Sequence, residues 1–132
     1  MTDVNVLAIV VAAVAALIVS TLWYSAFAKQ LGELSPAYAD ASGARPPMWK
    51  VGIELLRNIV VASLVAGLVD LIDAAGWTDG VLLGLALWIG LPVVLWTGAV
   101  MWERIPPKLA AIHSGDWLLK LLVIPVIVTV WR

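Results

Sequence analysis

The chain has 132 residues, 63% of them hydrophobic and only 13% charged, with a mean hydropathy of +1.02. Soluble domains average about 45–50% apolar and about 25% charged residues, so this much apolar surface excludes a soluble globular domain. A formal net charge of -1 and a pI near 5.6 also exclude a disordered tail and a basic nucleic-acid binder. The chain reads as an integral membrane protein whose obligatory partner is the lipid bilayer.

The elements follow in chain order as one all-α transmembrane domain over residues 1–132. Apolar runs predict spanning helices at about 4–28, 48–72, 81–102 and 109–131. Turn signals separate them: Ser35-Pro36 through Arg45-Pro46-Pro47, then Asp73 to Gly80, then Ile105-Pro106-Pro107. No run alternates as a strand does, and all are too long for barrel strands. The first run is expected to stay as a helix rather than be cleaved as a signal peptide. Asp3 and no Lys or Arg precede it, and it exceeds the usual apolar region of such peptides. Four spans and their connections are expected to use up the chain, with no room for a soluble catalytic domain.

Basic residues predict the orientation. Lys29, Arg45 and Lys50 follow the first span, and Arg104 and Lys108 follow the third; Arg132 alone is basic at the other side. Both termini are therefore expected outside, with the basic loops cytoplasmic. Trp23, Tyr24, Trp49 and Trp102 then fall near the cytoplasmic interface and Trp77 and Trp131 near the outer one. Trp88, Trp96 and Trp117 lie deeper, either as packing between helices or as an aromatic wall facing a ligand.

The ionisable groups inside the spans mark the candidate site. The second span carries Glu54, Arg57 and Asn58, and the fourth carries His113, Asp116 and Lys120. A charge near the bilayer centre costs about 2.5–3.5 kcal/mol, so such groups are paired, interior or functional. At the helical rise, Glu54 and Arg57 lie ~9 and ~13 Å in from Met48, and Asp116 and Lys120 ~10 and ~16 Å in from Leu109. The spacings i,i+3 for Glu54–Arg57 and i,i+4 for Asp116–Lys120 allow pairs within each helix. Across the helices, Glu54 is expected to reach Lys120 and Arg57 to reach Asp116. The cluster reads either as a lock between two helices or as a cytoplasm-facing pocket for a small molecule, an ion or a proton, with His113 titrating. Zero cysteines exclude disulfides, thiolate metal sites and cysteine nucleophiles, one histidine excludes a multi-histidine metal centre within one subunit, and no metal-ligand set, cofactor or enzyme motif is apparent.

Pro92 and Pro125 each leave a carbonyl without its helical donor, at Trp88 and Leu121. The latter places a free acceptor beside Lys120. Small residues spaced by four, at Ala8/Ala12/Ala16, Ser63/Gly67 and Gly80/Gly84, suit close helix contacts within a subunit or between copies. Leu22-Trp23-Tyr24-Ser25-Ala26 is similar to Leu95-Trp96-Thr97-Gly98-Ala99. Gly52-Ile53-Glu54-Leu55-Leu56-Arg57 is similar to Gly115-Asp116-Trp117-Leu118-Leu119-Lys120. The halves thus read as two tandem helix hairpins related by a parallel pseudo-repeat, with chance similarity as the competing account.

Leu22-Trp23-Tyr24-Ser25, the Glu103–Leu109 connection and Ile112-His113-Ser114-Gly115 leading to Trp131 together carry a family resemblance. The chain resembles the bacterial family of small four-helix membrane proteins called domain of unknown function 1761. That resemblance implies a bacterial cytoplasmic (inner) membrane and no established activity. The fourth helix opens here with His113-Ser114-Gly115-Asp116-Trp117 where the family pattern has Asn-x-Gly-Tyr-His, so it assigns no role to His113, Asp116 or Lys120. The residues favour a transport-like or ligand-binding homo-oligomer built on Glu54, Arg57, Asn58, His113, Asp116 and Lys120. The alternative is an accessory or assembly subunit with a purely structural charge network.

Overall fold

In the computed structural model, which describes residues 5–40 and 46–131, the chain is a bundle of membrane-length helices. Val4, Asp3, Arg45 and Arg132, which entered the sequence expectations, lie outside the described residues. Helix α1 (Val6–Ala26) is followed by two short helices, α2 (Ala28–Leu34) and α3 (Pro36–Asp40). Then come α4 (Met48–Leu71), α5 (Gly76–Gly90), α6 (Pro92–Trp102) and α7 (Pro107–Val130). Helices α1, α4, the α5–α6 pair and α7 are each long and apolar enough to cross a membrane. No strand occurs among the described residues.

Sequence chemistry accounts for the boundaries. The third span begins at Gly76, inside the stretch read as a turn, because Asp79 folds back and accepts the Ala75 backbone N–H at 2.9 Å. A carboxylate in the first turn also suits the positive end of the helix dipole. Pro92 breaks this span into two segments at Leu91, whereas α7 runs through Pro125 without interruption. Both tight connections close on a left-handed residue. Asp73 (φ 54) lets Ala74 N–H reach the Val69 carbonyl, and Arg104 (φ 57) lets Ile105 N–H reach the Ala99 carbonyl.

Helix α7 is the hub: α1, α4, α5 and α6 all pack against it, and α1 also packs on α4. Ala8, Ala12 and Ala16 are buried at 0–1% exposure and let α1 sink between α4 and α7. Ala12 and Ala16 share the core with Ala62, Val65 and Val69 of α4 and Ile124 and Val128 of α7. Gly80 and Gly84 bring α5 onto the α7 backbone at Pro125 and Leu121. The Leu121 carbonyl, which Pro125 deprives of its N–H donor, therefore meets α5, whereas Lys120 pairs with Glu54 of α4. The outward faces carry Ile18, Val60, Leu64, Leu82, Ile89 and Val94, all more than half exposed, as lipid contact requires.

The segment between the first two spans is more structured than its Ser-Pro signal implied. Leu31 of α2 is 2% exposed and packs with Leu109 and Ile112 of α7, under Trp23, Tyr24 and Phe27 of α1. Helices α2 and α3 thereby cover the end of the bundle where Lys29, Lys50, Arg104 and Lys108 lie exposed, hereafter the basic end.

Candidate functional site

Three helices supply the buried charges. Lys120, one turn beyond Asp116 on α7, is only 3% exposed, so its ammonium needs compensation within the protein. Its Nζ lies 3.2 Å from Glu54 Oε1 of α4 and 3.3 Å from Asp116 Oδ2, one turn earlier on α7. The Trp117 ring stands 4.8 Å away, a cation–π contact on a third side. Two carboxylates and a ring face thus surround a group with three N–H donors. The Ser20 hydroxyl of α1 donates to the other oxygen of Asp116, Oδ1. Glu54 uses its second oxygen on Arg57, at 2.6 Å.

The expected Glu54–Lys120 pair is present, and so are both pairs within the helices. Arg57 does not reach Asp116. Its side chain lies 58% exposed on the flank of α4, while Asp116 turns toward α1 and Ser20. The site therefore has a buried half, Asp116 and Lys120, and an outward half, Glu54 and Arg57. Asn58 sits apart from both: buried at 1% exposure, its Nδ2 donates to the Ala13 carbonyl at 3.4 Å and ties α4 to α1.

His113, one turn before Asp116 on α7, forms a second group toward the basic end. Its Nδ1 shares a hydrogen bond with the Tyr24 hydroxyl at 2.7 Å. Trp96 of α6 stacks on the imidazole at 4.7 Å between centroids, and Tyr38 of α3 stands 6.2 Å away. Partial burial, followed by the fields of the Asp116 and Glu54 carboxylates, pushes the Tyr38 phenol up from the ordinary tyrosine value. Tyr38 therefore stays a neutral hydrogen-bonding group at physiological pH.

The tryptophans are spent on α7, one by one. Trp96 holds His113, Trp117 faces Lys120, and Trp88 Nε1 donates to the Ser114 carbonyl at 2.8 Å. Among the described residues none of these three stacks on another, so they flank the polar segment of α7 rather than form one continuous wall. Trp23, placed in the interfacial belt by sequence, donates to the Ile112 carbonyl at 2.8 Å. Gly115 makes that contact possible: a Cβ there would stand 2.4 Å from the Trp23 ring.

Sequence reasoning missed Ser20, Tyr24 and Tyr38. A signal existed for the first two, since extending the Ala12–Ala16 spacing by one step reaches Ser20, and one more turn reaches Tyr24. Tyr38 had none, because only the fold of α2 and α3 carries it back to His113.

The sequence model of the family described as "Protein of unknown function (DUF1761)" matches residues 7–129. The chain belongs to this family. The match takes in all but the outermost residues of the membrane-length helices and all the residues of the charge cluster. No curated protein and no solved structure matches the chain.

Proposed function

We propose that this member of the family is a multi-pass protein of the bacterial cytoplasmic membrane that binds and passes a small charged species at the cluster, working as a homo-oligomer. Of a small molecule, an ion and a proton, the geometry favours the proton. The supporting observation is that the titratable groups form two directly bonded sets one helical turn apart. Tyr24 meets His113, and on the next turn Asp116 meets Lys120, which meets Glu54 and, through it, the exposed Arg57. Neighbours at hydrogen-bonding distance suit the exchange of protons better than the enclosure of a molecule. His113 supplies an imidazole, whose two ring nitrogens can take up a proton on one side and give one up on the other.

The test uses purified protein in vesicles that enclose a pH-sensitive dye. Wild-type vesicles are expected to collapse an imposed pH gradient faster than protein-free vesicles, and His113→Ala and Glu54→Gln to return the rate to the protein-free level. Wild-type vesicles that hold the gradient as long as protein-free ones would overturn the reading. The assembly role, with the network as a lock, would then stand in its place.

The orientation makes a separate prediction. With the basic end cytoplasmic, a reporter active only in the cytoplasm is silent at either terminus and active when inserted in the 31–47 segment. The opposite pattern would put the cluster in the outer half of the bilayer.

A further inference from the structure

Arg57 is the charged group of the cluster that the subunit does not cover. It lies ~13 Å along α4 from Met48, within the depth of the hydrocarbon. Its partner within the chain is Glu54, itself 30% exposed and already shared with the buried Lys120. A guanidinium carries five N–H donors in a planar fork, and the Glu54 contact uses Nη1. The outward half of the site thus presents an acid and a base side by side on a lipid-facing flank.

The same face offers close approach. Ile53, Val60, Leu64 and Gly67 lie within about 80° of Arg57 around the helix at 3.6 residues per turn. No atom comes within 4 Å of where a Cβ on Gly67 would stand. The other small pairs are used inside the subunit: the α1 alanines are buried, and Gly80 and Gly84 meet α7. Ser63 and Gly67 of α4 face outward.

We infer that this face of α4 is the contact between two copies of the chain, with Arg57 of each copy completing the Glu54 site of the other. The inference rests on the homo-oligomer reading above and names its surface. Charge complementarity selects the occupant. A two-fold axis along the membrane normal sets the face against itself, so that residue i meets j and j meets i. Arg57 lies one turn deeper than Glu54, and its side chain already leans back to Glu54's level. Across the axis each guanidinium meets the other copy's carboxylate, giving a ring of alternating charge. In lipid, helices associate through such polar contacts and through small residues rather than through apolar area. A lipid phosphate would answer Arg57 alone and leave Glu54 facing a second anion.

The chain has no cysteine, so single cysteines report without background. In dilute proteoliposomes, oxidised Val60→Cys is expected to give disulfide-linked dimers, while Leu82→Cys, equally exposed on α5, stays monomeric. Adding Arg57→Gln or Gly67→Leu is expected to reduce the Val60→Cys dimer to the Leu82→Cys level. Equal yields from Val60→Cys and Leu82→Cys would overturn the inference. So would dimers indifferent to both second changes. Monomers whose retention of anionic lipid depends on Arg57 would overturn it too, and would assign the face to lipid. Crosslinking requires no proton flux, so the two readings fail separately. Dimers in vesicles that hold a pH gradient sink the proton reading alone, and monomers that dissipate one sink the interface alone.

Discussion

Lys120→Met is expected to destabilise the bundle by about 3–5 kcal/mol, the range for removing one partner of a buried ion pair. The change leaves Asp116, 2% exposed, with the Ser20 hydroxyl and no cation. Glu54 keeps Arg57. The cluster then carries one uncompensated negative charge where water is absent, and desolvation of that charge dominates the cost. Lys120→Met combined with Asp116→Asn removes both buried charges and restores neutrality, so it is expected to recover most of the loss. Arg57→Gln leaves Glu54 paired with Lys120 and is expected to cost far less. Reversible unfolding in lipid bicelles, compared across the variants, measures the order. A double variant no more stable than Lys120→Met would show that charge compensation does not hold α1, α4 and α7 together here.

The same pairing explains what could be read from the sequence. Glu54, Asp116 and Lys120 stood out because a charge inside an apolar run has few solutions, and their depths along two parallel-running spans already matched. Arg57 was misassigned to Asp116 because depth fixes height in the bundle and says nothing of azimuth. Which flank of α4 faces α7 depends on how α1 wedges between them through Ala12 and Ala16. The aromatic groups were harder for a different reason. Trp23 and Tyr24 sit at the depth where interfacial rings are common, so position alone placed them in a belt, while the deeper Trp96 suits helix packing and a ligand-facing wall equally. Their contacts with Ile112 and His113 exist because Gly115 leaves a gap for the Trp23 ring and Pro92 starts a new helix, α6, that presents Trp96. The similarity between the two halves was visible as text, yet the halves play unequal parts in packing. Helix α7 is central and α4 peripheral, so Gly115 is filled by a ring whereas Gly52 has open space around it.

Gly84→Ala is expected to be the most damaging single-methyl addition in the chain. A Cβ at position 84 would stand 1.7 Å from the Leu121 carbonyl oxygen and 2.8 Å from its carbon, so α5 would have to lift off α7. Overpacking costs about 1–3 kcal/mol where flexible side chains absorb it, and sometimes more. Here the obstacle is backbone. The contact has a cause in Pro125, which lacks the N–H that would satisfy Leu121. The α-carbon of Gly84 comes up against that oxygen, and a Cα–H donor is worth a fraction of a conventional bond, about 0.5–1 kcal/mol. Gly80→Ala meets the Pro125 oxygen at 2.9 Å and is expected to cost less, and Gly67→Ala meets nothing and should leave the stability of the subunit unchanged. Unfolding in bicelles ranks the three, and a Gly84→Ala protein as stable as Gly67→Ala would refute the close approach. The site offers a second readout. Lys120 is compensated from α4 and from within α7, while Trp88 bonds Ser114 from α5. Lifting α5 should therefore shift the Trp88 fluorescence and leave the Arg57-dependent crosslinking of Val60→Cys in place. A lesion in helix packing is separated in this way from a lesion in the charge cluster.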